Sequence, residues 1–148
     1  MNDRLKALYK SQILKRSKNP EHFGEMPGAT HVLEAYNPMC GDQYKLFLKL
    51  DGELVTEASF HGYGCAISKA STEVLTQRII GKKLSELDDM VTLFLSVIDP
   101  ESAVDPEEIT EEDELQAFAG TRQYPEREQC ASLSWAELAK FIQEDKGL

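Results

Sequence analysis

The sequence predicts an α+β domain in which a small antiparallel β-sheet carries helices packed on one face. Three observations predict it. Apolar residues recur at helical spacing over residues 3–17, residues 44–50 alternate as a strand does and run into an Asp51-Gly52 turn, and helical periods with capping signals dominate from residue 66 onward. The length of 148 residues fits one domain, 1–148, with 41% hydrophobic and 28% charged residues and no internal repeat.

The elements follow in order. Leu5, Leu8, Tyr9 and Ile13 make one face of an amphipathic opening helix, and Asn19-Pro20 ends it. A loop with Gly24, Pro27 and Gly28 leads to a short apolar run around Val32 and Leu33. Tyr44–Leu50 is the first clear strand, and Asp51-Gly52 turns it back into Glu53–Phe60. Residues 66–80 read as a helix, with Ile67, Ala70, Val74, Leu75 and Ile79 on one side, Cys65 at its N-terminus and Gly81 as C-cap. Ser85-Glu86-Leu87-Asp88 resembles a capping box for a helix through Ile98, and Thr110-Glu111-Glu112-Asp113 does the same for a short helix ending near Gly120. Residues 100–106 form a linker. Arg127–Leu133 reads as one helix and Ser134-Trp135-Ala136-Glu137 as the cap of another, which puts Cys130 near an interhelical junction.

Charge and cysteine usage exclude several classes. The net charge of -10 argues against nucleic acid as a partner, because counterion release needs a basic face. Residues 99–114 hold nine acids and no base, so the rest of the chain is nearly neutral and the run reads as a solvated loop or helix start. Three cysteines fit poorly with a fully paired disulfide framework. The charged start Met1-Asn2-Asp3-Arg4-Leu5-Lys6 is unlike a signal peptide, and the longest apolar stretch, Val91–Ile98, is too short to cross a membrane. The expectation is a cytoplasmic protein whose cysteines persist as thiols.

The candidate chemistry sits on two glycine-flanked stretches, Asn37-Pro38-Met39-Cys40-Gly41-Asp42 and Gly62-Tyr63-Gly64-Cys65-Ala66-Ile67-Ser68. An antiparallel hairpin brings their ends together, making Cys40, Asp42 and Cys65 neighbours. The helix N-terminus favours a thiolate at Cys65. Three Cys and one Asp suffice chemically for zinc, although paired Cys-x-x-Cys knuckles are absent. Cys130, flanked by Ala131 and Leu133, reads from its neighbours alone as a small buried hydrophobe sooner than as a ligand. A cysteine hydrolase with Cys65 as nucleophile, His61 as base and Asp42 orienting it is the rival enzyme reading, without a recognisable oxyanion hole. His22 and His31 read as surface or loop residues, with no sequence neighbour that argues for a catalytic relay.

Asn37-Pro38-x-Cys40-Gly41-Asp42, Gly62-x-Gly64-Cys65-Ala66-Ile67-Ser68-x-Ala70-Ser71 and a late cysteine before the last helical segment resemble the U-type iron–sulfur cluster assembly proteins, the IscU/SufU group with a SufE/NifU-like fold. Arg127, Cys130, Ala131, Leu133 and Trp135 match the Arg-x-x-Cys-Ala-x-Leu-x-Trp pattern of the SUF-type branch. Gln129 stands where ISC-type scaffolds carry a histidine, and Tyr124-Pro125-Glu126-Arg127 stands in place of their chaperone-recruiting Leu-Pro-Pro-Val-Lys.

The resemblance implies a Zn2+ ion held by Cys40, Asp42, Cys65 and Cys130. It also implies a SufS-type, pyridoxal-phosphate-dependent cysteine desulfurase and downstream SUF cluster-assembly proteins as partners, and persulfide sulfur accepted on Cys40. Arg127 is expected to pair with Asp42, with the anionic site, or in a plain surface salt bridge. The alternative is a scaffold that assembles a [2Fe-2S] cluster on the same ligands, since thiolates serve both metals.

Overall fold

Alternation of apolar and polar side chains in the middle of the chain builds the central strand of a three-stranded antiparallel sheet. The computed structural model describes residues 2–39 and 41–145, so Cys40 lies outside the described residues. Strand β1 spans His31–Asn37, β2 Asp42–Asp51 and β3 Leu54–Tyr63, in the order β1-β2-β3. Tyr44, Leu46 and Leu48 of β2 are buried on one face, with Val55, Ala58 and Phe60 of β3, while Gln43, Lys45 and Lys49 are exposed. Gly52 carries the turn between β2 and β3 with a φ of +62°, a conformation that costs glycine little. The apolar run around Val32 and Leu33 becomes β1, which pairs with β2 from His31↔Leu48 to Asn37↔Asp42. Since β2 also pairs Gln43 with Tyr63, the start of β2 and the end of β3 share one edge of the sheet.

Among the described residues there are six α-helices. They are α1 (Asp3–Lys18), α2 (Ala66–Ile79), α3 (Leu84–Ile98), α4 (Pro106–Ile109), α5 (Asp113–Gln116) and α6 (Pro125–Asp145), with a 3-10 turn over Ala117–Gln123. Of these, α2 and α6 pack directly on the sheet. Asn2 caps α1 by accepting the Leu5 N–H at 2.8 Å. In the core, Trp135 of α6 stacks on Phe94 of α3 with ring centroids 3.9 Å apart, which ties these helices together. No helix among the described residues is long and apolar enough to cross a membrane.

Three expected boundaries move. Helix α3 begins at Leu84, before the expected Ser85 cap, because Glu86 accepts the Lys83 N–H at 3.0 Å. Thr110 accepts the Glu112 N–H at 3.2 Å in a local turn, so α5 starts only at Asp113 and tightens into the 3-10 turn. The two helices expected either side of Ser134 are one, α6. No Gly or Pro interrupts residues 126–145, and the buried Ser134 hydroxyl bonds Thr72 Oγ1 of α2 at 2.7 Å instead of capping a helix. Cys130 therefore sits inside α6, near its start, and not at an interhelical junction.

The acidic run is strapped to basic residues far away in sequence. Arg4 pairs with Glu107 at 3.0 Å and also with Asp113, Arg16 pairs with Glu114 at 2.8 Å, and Arg78 reaches Glu112 and Glu114 at 2.9 Å each. These acids hold the 106–116 segment against α1 and α2, and the run also supplies the expected helix starts, with Asp105 capping α4 and Asp113 and Glu114 in the first turn of α5.

Candidate metal centre

The shared sheet edge places Asp42, the first residue of β2, beside the loop that leaves β3 for α2. Cys65 is the N-cap of α2: its Sγ accepts the Ser68 N–H at 3.4 Å, as the hydroxyl of a capping serine would. Asp42, with 0% exposure, accepts the Cys65 backbone N–H on Oδ1 at 2.9 Å. From the other side α6 brings in Cys130, which is buried. One carboxylate oxygen of Asp42, Cys65 Sγ and Cys130 Sγ all lie within 4.8 Å of one another.

Two observations test this set against a metal. Asp42 Oδ2 is buried and has no hydrogen-bond partner among the described residues. An orphaned carboxylate oxygen costs about 1–3 kcal/mol or more, a cost that a cation removes. The donor types also fit: zinc takes thiolate and carboxylate, and with Zn–S bonds of about 2.3 Å two tetrahedral sulfurs stand about 3.8 Å apart, roughly an ångström inside the observed limit. Because Oδ1 is engaged by the Cys65 N–H, Asp42 offers a single oxygen.

Gly64 explains how the oxygens come so close. A Cβ on Gly64 would run into Asp42 Oδ1 and would stand 2.6 Å from Ser68 Oγ and 2.7 Å from Tyr44 Oη. Tyr44 Oη and Ser68 Oγ are themselves 2.9 Å apart. Burial pushes the Tyr44 phenol well above its ordinary pKa, against a smaller lowering from the Ser68 hydrogen bond, so it stays protonated. Neither hydroxyl is marked as functional by periodicity. The hairpin register supplies the signal, since it sets Tyr44 opposite Gly62, beside the cysteine loop.

In front of the thiols is a cleft of about 460 Å³ lined by Tyr9, Ile13, Cys65, Ala66, Ile67, Glu126, Arg127 and Cys130. Arg127 does not reach Asp42. Its Nη1 donates to Tyr9 Oη at 3.4 Å and its guanidinium lies 4.4 Å from the centre of the Tyr124 ring. Burial also raises the Tyr9 phenol pKa, although the Arg127 charge opposes it.

The hydrolase arrangement is not formed. Strand alternation exposes His61 where Phe60 is buried, its Nδ1 lies 3.9 Å from Glu25, and Asp42 holds a backbone N–H instead of an imidazole. His22 does have an acidic partner, one that sequence proximity does not reveal. The buried Glu73 of α2 accepts the His22 N–H at 2.8 Å and lies 2.9 Å from its Nδ1.

Comparison with known proteins gives one consistent result. Residues 8–135 match the NifU-like N terminal domain family. The chain is 34% identical to the "Zinc-dependent sulfurtransferase SufU" of Bacillus subtilis (strain 168), over 99% of this chain and 97% of that protein. It is 31% identical to the "Iron-sulfur cluster assembly scaffold protein IscU" of Streptococcus pyogenes serotype M1, over 94% of this chain and 85% of that one. A crystal structure of a candidate iron–sulfur cluster assembly scaffold protein for the SUF system, from Fervidobacterium islandicum AW-1, superposes with a TM-score of 0.78 at 31% identity, covering 89% of this chain and 94% of that one.

Proposed function

This chain belongs to the NifU-like N-terminal domain family of iron–sulfur cluster assembly proteins, and from that premise we propose that it is a zinc-dependent sulfurtransferase. In this reading it accepts persulfide sulfur from a SufS-type cysteine desulfurase and passes it on to cluster assembly. The observation that carries the reading is the convergence of Asp42, Cys65 and Cys130, with one buried carboxylate oxygen left for a cation. Full-length similarity to a protein named for that activity supports it.

Asp42 Oδ2, Cys65 Sγ and Cys130 Sγ would hold the zinc, with Cys40, outside the described residues, as the fourth ligand. Bound zinc would keep the cysteines as thiolates at neutral pH. The chain's own residues do the rest. Asp42 ties the entry of α2 to β2, Ser68 fixes the Cys65 sulfur, and the 460 Å³ cleft gives a partner access to the thiols. Sulfur moves by simple exchange. The Cys40 thiolate attacks the terminal sulfur of the donor persulfide, a new S–S bond forms at Cys40, and the donor's S–S bond breaks to release its cysteine thiolate. No net oxidation occurs and no further reductant is needed. Arg127, beside the cleft, supplies a positive charge to an incoming anionic persulfide.

The second reading, a scaffold for a [2Fe-2S] cluster on the same ligands, is favoured by the IscU names among the relatives. Metal analysis with a desulfurase assay separates the two. One tightly held zinc per chain and a large rise in desulfurase turnover support the transferase. A brown protein that hands an intact cluster to an apo-acceptor, with no effect on the desulfurase, overturns it.

A further inference from the structure

We propose that the buried hydroxyls of Tyr44 and Ser68 act as one positioning unit that holds Cys65 in place as a metal ligand. The inference rests on Asp42, Cys65 and Cys130 being metal ligands. It deepens that reading by assigning a role to two residues that are not themselves ligands.

The geometry accounts for every polar group of Cys65. Its N–H goes to Asp42 Oδ1 at 2.9 Å, its carbonyl accepts the Ser68 hydroxyl at 3.0 Å, and its Sγ accepts the Ser68 N–H at 3.4 Å, with Ser68 Oγ only 3.7 Å from the sulfur. Proton counting then orders the pair. The Cys65 carbonyl can only accept, and with Tyr44 donating in the 2.9 Å contact the single Ser68 hydroxyl proton is left for that carbonyl, so that both protons of the pair have an acceptor. That arrangement runs from Tyr44 O–H to Ser68 Oγ–H to Cys65 C=O.

Packing alone does not call for these hydroxyls. Tyr44 and Ser68 are each 1% exposed, and the Tyr44 ring already packs in the core near Phe60, with centroids 6.0 Å apart. A phenylalanine would fill that space. The Tyr44 hydroxyl instead extends to the residue before Cys65, where the missing side chain of Gly64 leaves room for three oxygens to converge. A buried polar pair that ends on one ligand residue is how metal sites orient their ligands.

The test uses the full chain, stripped of metal and reloaded with zinc or with cobalt(II), in four forms: wild type, Tyr44→Phe, Ser68→Ala and the double variant. Release to a chromophoric chelator, the cobalt(II) absorption spectrum and the unfolding of the metal-free protein are measured for each. The expected result is metal release about tenfold faster in each single variant. It also includes a shifted cobalt(II) spectrum, and a double variant no worse than Ser68→Ala, because Tyr44 acts through Ser68. Unchanged release and an unchanged spectrum in Tyr44→Phe overturn the proposal. So do additive effects that follow the loss of metal-free stability, and Tyr44→Phe decides alone if Ser68→Ala does not fold. A wild type that binds neither metal overturns the ligand assignment and the proposal together, whereas a wild type that binds, with Tyr44→Phe indistinguishable from it, overturns the proposal only.

Discussion

Asp42 Oδ1 accepts the backbone N–H of Cys65 at 2.9 Å, while its second oxygen is buried and meets no hydrogen-bond donor among the described residues. One carboxylate is thereby given two jobs. One oxygen ties the entry of α2 to the sheet, and the other is the one proposed to bind the cation. The two jobs are separable by mutation.

Asp42→Asn keeps a carbonyl oxygen for the Cys65 N–H but replaces the charged oxygen, whereas Asp42→Ala removes both. Each variant is expected to release zinc about 10–100-fold faster. In urea unfolding of the metal-free protein only Asp42→Ala is expected to lose about 1–2 kcal/mol, the cost of a stranded buried N–H. Wild-type zinc retention in Asp42→Asn would show that the buried oxygen is not a ligand.

Gly64→Ala forces a methyl group among Asp42 Oδ1, Ser68 Oγ and Tyr44 Oη. All three oxygens belong to buried, tethered side chains, so the clash has no cheap relief. The expected outcome is a loss of about 1–3 kcal/mol in chemical unfolding, together with loss of bound metal. Equal stability in the two proteins would mean that the site is looser than the structure indicates.

The Tyr44 phenol gives a pH dependence whose sign is fixed. Its folded pKa lies above the unfolded value of 10.0, so its contribution is fully present below that value. Above about pH 10 the unfolded phenol ionises while the folded one does not, and stability falls as pH rises. Tyr44→Phe should show a shallower alkaline limb than wild type in denaturation series across that range. Parallel limbs would contradict the burial of this hydroxyl.

Arg78 clamps Glu112 and Glu114, with its own side chain 17% exposed. Arg78→Ala should cost about 1 kcal/mol, with the difference from wild type shrinking at high salt. It should also speed cleavage by a glutamate-specific protease within residues 107–114. Unchanged cleavage would mean that Arg4 and Arg16 suffice to hold the segment.

The features legible in the sequence are the local ones. Asp51-Gly52 announces the hairpin, and the hairpin is enough to put Asp42 beside Cys65. Helical period places Cys65 at the cap of α2. Long-range pairings left weaker traces. A serine followed three residues later by glutamate looks the same whether it caps a helix or bonds Thr72 inside one, so α6 reads as two helices at Ser134. The density of acids in 99–114 is visible, but Arg4, Arg16 and Arg78 as their partners are not. Arg127 has the right spacing from Cys130 to suggest the site, yet Tyr9, which it meets, lies 118 positions away. Tyr44 reads as an ordinary core residue of a strand because period reports a face and not where a hydroxyl ends.

In the proposed transfer, sulfur arrives on Cys40 while Asp42, Cys65 and Cys130 stay in place. The most direct measurement is mass spectrometry of the zinc-loaded protein after incubation with a SufS-type cysteine desulfurase and cysteine, with thiols trapped by an alkylating reagent before digestion. One extra sulfur atom on the peptide containing Cys40, none on those containing Cys65 or Cys130, and zinc still bound is the predicted result. Extra sulfur on Cys65 or Cys130, or on no cysteine at all while the desulfurase turns over, would contradict it.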